Sequence, residues 1–288
     1  MKSAILLLSV FLLSCAAPLQ QAKNNVLDTS EHNKYSWKGS YTIENKLLNR
    51  IPTPEGFERK QVEKKSFADW LRNLPLKPGK PDVLLYNGEK KNRQDVHFAV
   101  LDIDVGNKDL QQCADAVIRL RAEYLFAQKN YDAIHYNFTN GWRFDYTKWK
   151  QGFRPKITNN LVELQKTTKA DDSYESFKEY LQMVFNYSGT NSLSAELKPV
   201  AHVHDVKAGD VFIKGGFPGH AVLVLDVAEN AKGEKVFLLA QSYMPAQDIH
   251  VLINPNSAEL SPWYSEKFFE VLATPEWTFY NTDLKSWN

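Results

Sequence analysis

The chain has little with which to cross-link itself, to bind through net charge, or to cross a membrane. Its 288 residues contain two cysteines, Cys15 and Cys113, so no disulfide framework can hold the fold together. Basic and acidic side chains number 35 and 34, which removes the electrostatic argument for a nucleic-acid partner. Beyond residue 14 no apolar run approaches the roughly 20 residues needed to span a bilayer. Internal repeats and low-complexity tracts are also missing. What is present is a chain that is 43 % hydrophobic and 12 % aromatic, enough to fill the core of one large domain or two small ones.

The first residues carry an address. Met1-Lys2 gives a positive start, Ala4 to Leu13 is apolar apart from Ser9, and Leu12-Leu13-Ser14-Cys15 follows. A charged start, a short apolar core and a small residue before the cut describe a secretory signal over residues 1–14. The Leu-Leu-Ser-Cys ending resembles a bacterial lipobox, which implies that Cys15 is the lipidated N-terminus and that the membrane is met through the lipid. Loss of Lys2 then leaves 34 basic and 34 acidic side chains, a formal charge of zero. Residues 15–40 are polar and small and read as a tether. No Asp or Glu follows Cys15 directly, which by resemblance to lipoprotein sorting signals points to the outer membrane, facing the periplasm. Cys113 is then an unpaired thiol in an exported protein.

Residues 41–288 read as a single α+β domain. Ser66 to Leu71 predicts a short helix. Residues 83–86 and 96–105 predict strands, separated by the Asn87-Gly88 turn signal. Asp109 and Gln112 predict a capping box for a long helix in which Leu110, Cys113, Ala114, Val117, Leu120, Tyr124 and Leu125 recur at helical spacing. The aromatic stretch 131–149, with Asn140-Gly141 inside it, predicts turns or a hairpin, and residues 174–187 predict an amphipathic helix. Three short strands follow at 210–213, 221–227 and 236–242, with Gly215, Gly216 and Gly219 in the first connection.

The order of a Cys at a helix start, a His opening a strand and a polar residue on the next strand has a chemical logic. Unpaired N–H groups at a helix N-terminus are expected to lower the pKa of the Cys113 thiol and to stabilise an oxyanion. His220, after a glycine-rich loop, is placed to take the thiol's proton. Gln241 on the following strand is placed to bond the second imidazole nitrogen and fix its tautomer. The simpler alternatives are a Cys113 that fills the core, a His220 that caps a turn and a Gln241 that faces solvent.

These stretches resemble the NlpC-type, papain-like cysteine peptidases. The residues that carry the likeness are Gln112-Cys113-Ala114-Asp115-Ala116-Val117, Ala208-Gly209-Asp210-Val211-Phe212-Ile213, Gly219-His220-Ala221-Val222-Leu223-Val224 and Leu239-Ala240-Gln241-Ser242. The resemblance implies a papain-like arrangement, with a Cys-bearing helix packed on an antiparallel sheet and an insertion between Cys113 and His220. It implies Cys113 as nucleophile, His220 as base and Gln241 as orienting residue, acting on cell-wall peptides. Longer motifs are similar to an uncharacterised family of bacterial lipoproteins, domain of unknown function 4846. They include Phe67-Ala68-Asp69-Trp70-Leu71-Arg72, Arg119-Leu120-Arg121-Ala122-Glu123-Tyr124-Leu125, Asn137-Phe138-Thr139-Asn140-Gly141 and Gly216-Phe217-Pro218-Gly219-His220-Ala221. Membership implies an envelope lipoprotein.

Other motifs carry less. His202 and His204 would share a face of a strand and could hold one metal, but no further ligand cluster accompanies them, and a solvated turn is the better reading. Gly215 to Gly219 lacks the Lys-Ser/Thr and the helix of a phosphate loop. Arg119, Arg121 and Glu123 read as charges on a helix face. Trp142, Tyr146 and Trp149 read as core and rim aromatics rather than a sugar platform. The expected activity is therefore a lipid-anchored cysteine hydrolase of envelope peptide or amide bonds, with no cofactor or metal. The alternative is a non-catalytic lipoprotein that binds a glycan, a peptide or a protein partner in the same cleft.

Overall fold

The computed structural model describes residues 35–268 and 270–287; Cys15, the leader and most of the tether lie outside them. The helices are α1 (Leu47–Arg50), α2 (Phe67–Arg72), α3 (Cys113–Ala127), α4 (Tyr146–Lys150), α5 (Tyr174–Tyr187) and α6 (Thr190–Glu196). The strands up to α5 are β1 (Phe57–Arg59), β2 (His97–Val100), β3 (His135–Asn137), β4 (Arg143–Asp145), β5 (Phe153–Thr158) and β6 (Leu161–Lys166). After α6 come β7 (Lys198–Pro199), β8 (Val211–Lys214), β9 (His220–Asn230), β10 (Lys235–Gln241) and β11 (His250–Leu252). The chain ends through β12 (Tyr264–Ser265), β13 (Val271–Ala273), β14 (Thr278–Tyr280) and β15 (Leu284–Ser286). The fold is mixed α+β around one large antiparallel sheet.

That sheet runs β2-β11-β10-β9-β8-β15-β7, with β1 added to β9 and β12 to β10. Its central strand, β9, is rich in Val and Leu and buried along nearly its whole length because both faces are covered. Alternation sends Ala221, Leu223 and Leu225 to the helical face and Val222, Val224 and Val227 to a second core with Phe237, Tyr264 and Phe279. The register between β9 and β10 slips where Leu238 faces Asp226 and Leu239 faces Val224. This bulge keeps Asp226 on the helical face. The fully buried Asp226 carboxylate there accepts from Arg59 at 2.7 Å and from Arg72 at 2.7 Å.

Helix α3 is buried nearly all round, charged side chains included, and lies in the core. It begins at Cys113 with Gln112 as N-cap, one turn later than the Asp109–Gln112 capping box predicts. Asp115 Oδ2 accepts the Gln112 N–H at 3.1 Å instead. Asp109 ties the loop down, accepting the Ala246 N–H at 2.6 Å and a Gln112 Nε2–H at 3.0 Å.

Other local expectations are revised by packing. Residues 83–86 form only isolated bridges, because each of Leu84 and Leu85 finds a single partner. The predicted strand 96–105 shortens to His97–Val100, the length over which β11 runs beside it. Residues 203–205 turn as a 3-10 helix, so His202 and His204 do not share a strand face, and His204 bonds Glu266 at 2.8 Å. Among the described residues no group of three or more His, Cys, Asp or Glu could hold a metal. Tyr146 and Trp149 are buried in the aromatic core, with Trp149 donating to Ser176 Oγ at 3.0 Å. Arg119 and Glu123 are not surface charges: both are buried, 2.8 Å apart.

Candidate active site

One cavity of about 490 Å³ opens where the N-terminus of α3 meets the start of β9. Cys113, at the first position of α3, and His220, at the first position of β9, both line it. The approach to His220 demands glycine. A Cβ on Gly219 would lie 2.4 Å from Thr190 Oγ1 and 2.5 Å from the Gly216 carbonyl oxygen. The rim exposes two large apolar side chains, Phe217 and Met244.

His220 is held on one side by aromatics and on the other by an amide. Its ring centroid lies 4.9 Å from Tyr243, 5.3 Å from Trp277 and 5.9 Å from Phe279. Its Nε2 is 2.8 Å from Gln241 Oε1. Gln241 is buried rather than facing solvent, because β10 runs beside β9 with its second face covered. Its Nε2 lies 2.7 Å from Glu276 Oε2, and the other Glu276 oxygen accepts from Lys91 Nζ at 2.7 Å.

This chain of bonds assigns the protons. A carboxylate only accepts, so Glu276 takes an N–H of the Gln241 amide and turns Oε1 toward His220. His220 Nε2 must then carry the proton that it donates, and Nδ1 is left with a lone pair. His250 completes the arrangement: its Nδ1–H donates to the Asp248 carbonyl at 2.9 Å, and its Nε2 faces the Gln241 amide at 3.4 Å. Lys91, Glu276, Trp277 and His250 were not legible as site residues. Lys91 and Glu276 are 185 positions apart, and no local motif marks either.

The electrostatics reverse the expectation for the thiol. Burial pushes Cys113 up to about 11, and the neighbouring Asp115 adds to this. The backbone N–H groups of Ala114 and Ala221, which favour the thiolate, are outweighed. Burial also holds the Asp115 carboxyl well above the usual range. Burial brings His220 down to about 4, against an opposing pull from the Gln241 bond. The resting pair is thus a neutral thiol and a neutral imidazole, lining one cavity without a hydrogen bond between them.

An NMR titration checks this. The His220 imidazole is expected to stay neutral above pH 5 and to titrate near 4, where an unperturbed histidine titrates near about 6.5. The folded pKa is below the unfolded one, so the contribution of this neutral ring is complete above pH about 6.5 and is lost as pH falls through 4. A His220 resonance with a midpoint above 6 would contradict the buried geometry.

Fold and cavity together define an α+β protein with a Cys-His-Gln cluster at one end of an antiparallel sheet. A model of the family described as domain of unknown function (4846) matches residues 47–286. The chain belongs to that family. No curated protein and no solved structure matches it.

Proposed function

We propose that this protein is a papain-like cysteine hydrolase that cleaves peptide or amide bonds of the cell envelope, and that it is anchored there by a lipid on Cys15. The observation that carries the reading is the 2.8 Å bond from His220, which lines the same cavity as Cys113, to the buried Gln241 behind it. It leaves Nδ1 as the ring nitrogen able to take a proton. The charged start and short apolar core of residues 1–14 support the envelope address.

The reaction begins with transfer of the Cys113 Sγ–H proton to His220 Nδ1. The sulfur then attacks the substrate carbonyl carbon, and the C=O π pair moves onto oxygen. The first N–H groups of α3 have no intrahelical acceptor and favour that negative charge. As the oxyanion re-forms its C=O, the C–N bond breaks and the amine leaves with the imidazolium proton. The product is a thioester on Cys113. Water, giving a proton to His220, then releases the acid and the thiol. Exposed Phe217 and Met244 at the rim favour an apolar group beside the scissile bond.

A second reading, a binding protein that uses the cavity without chemistry, is supported by the raised thiol pKa and the lack of a thiol–imidazole hydrogen bond. Acyl capture separates the two. Incubation of the full chain with p-nitrophenyl acetate at neutral pH is expected to leave an acetyl thioester on Cys113, mapped by mass spectrometry and sensitive to hydroxylamine. A native Cys113 that stays unmodified, yet reacts after unfolding, would leave only the binding reading.

A further inference from the structure

A second cavity, of about 340 Å³, opens further along α3 around Arg121. The Arg121 guanidinium is 4.8 Å from the Phe67 ring centroid, 5.4 Å from Tyr124 and 5.5 Å from Trp287. These rings answer its charge through their quadrupoles. They offer no oxygen to its five N–H donors. Arg121 has neither a hydrogen bond nor an ion pair with any described residue, although burial already disfavours its charge. By contrast Arg119, two residues earlier on the same helix, meets four acceptors, on Glu123, Gln111, Asp104 and Tyr174.

A second donor is unanswered in the same place. The indole Nε1 of Trp287, whose ring stands beside Arg121, is buried without an acceptor. Two other groups are occupied. Arg143 pairs with Asp145 at 2.8 Å, and Glu196 accepts the Asn137 N–H at 2.7 Å. His135 Nδ1 is buried without a hydrogen bond, 3.8 Å from Glu196. A cavity lined by a guanidinium fork that lacks an acceptor calls for a ligand with acceptor oxygens.

We propose that this cavity binds a small organic monocarboxylate, with its carboxylate on the Arg121 fork beside the Trp287 ring and its apolar body against Leu125 and Tyr136. The planar guanidinium matches a carboxylate in two parallel bonds. The walls are partly aromatic and aliphatic, which suits an acid with an apolar body. Glu196 in the same cavity, its carboxyl pushed up to about 7 by burial, works against a more highly charged anion such as phosphate once it is ionised. The proposal does not depend on the hydrolase reading, since neither Cys113 nor His220 lines this cavity.

The test uses benzoate as the probe, with benzamide as its neutral counterpart and inorganic phosphate as a competing anion. The readout is the Trp287 indole N–H resonance, assigned with Trp287→Phe. Benzoate is expected to shift that resonance saturably, and benzamide is not. Arg121→Met, which keeps the stem under the rings and removes the charge, is expected to weaken benzoate about tenfold or more, the scale of one charge-assisted hydrogen bond. Should Arg121→Met fail to fold, Arg121→Lys keeps the charge, loses the fork and is expected to weaken binding in the same direction. A Trp287 resonance indifferent to benzoate, equal shifts in the wild type and the Arg121 variant, or tighter binding of phosphate than of benzoate would each overturn the assignment.

Discussion

His220→Ala is expected to slow acetyl transfer from p-nitrophenyl acetate to Cys113 by about 10²–10⁴-fold at neutral pH, the range a positioned base contributes. The thiol itself explains why the dependence should be large. With its pKa pushed up to about 11, Cys113 is almost wholly protonated at pH 7 unless a neighbouring base removes the proton in the reaction. The wild type has such a base, neutral down to about pH 4. The variant has none. The difference should shrink as pH rises toward 11, because hydroxide then makes the thiolate without help. This convergence is a signature that a merely destabilised variant would not show. Removing the ring also leaves Gln241 Oε1 buried without its donor, so thermal unfolding must be followed alongside. His220→Asn, which can still donate to Gln241, serves as the second variant. Equal rates for wild type and both variants at pH 7 would refute the role of His220 as base.

Glu123→Ala is expected to lower folding stability by about 3–5 kcal/mol in urea denaturation. Glu123 is fully buried, and its Oε1 accepts from Arg119 at 2.8 Å and from the Tyr174 hydroxyl at 2.7 Å. Truncation strands the Arg119 guanidinium in the core without its main counter-charge. The loss should reach the candidate site. Arg119 Nη1 donates to Gln111 Oε1 at 3.0 Å, and the Gln111 carbonyl lies 2.8 Å from Ser242 Oγ at the end of β10. The loop that delivers Cys113 therefore hangs on this ion pair. The double replacement Arg119→Met with Glu123→Leu removes both charges and fills the space, and should cost less than Glu123→Ala alone. A single variant that is no less stable than the double would show that the pair is not acting as a buried, mutually dependent unit.

Much of the local structure was legible because local pattern reports burial. The helix over Tyr174–Tyr187 follows from its apolar spacing, and its N-cap is Ser173, whose side chain accepts the Ser176 N–H. The hairpin of β3 and β4 follows from Asn140-Gly141 between aromatic runs. The three strands after Gly209 follow from runs of Val, Leu and Phe bounded by glycine. Where pattern misled, long-range packing had intervened. Arg119 and Glu123 lie four residues apart, a spacing common on solvated helix faces, and it takes the preceding loop, through Gln111, and Tyr174 of α5 to close over them. Gln241 ends a run of apolar residues at a strand end, where a polar side chain can turn to solvent, and the covering of the second sheet face by the C-terminal segment keeps it buried.

By itself the sequence determined the helices that became α2, α3 and α5, the strand run β8 to β10, the placement of Cys113 at a helix start and of His220 at a strand start, and the glycine that lets the chain reach His220. These depend on neighbours within a few residues. The tertiary structure alone decided what those groups are chemically. It brought Lys91 and Glu276 together behind Gln241, and so assigned the tautomer of His220. It also overrode the helix N-terminus at Cys113, because the loss of solvent around a thiol outweighs the N–H groups that favour its anion. Desolvation is a property of everything packed around a group, drawn from the whole length of the chain, and no local stretch of sequence carries it.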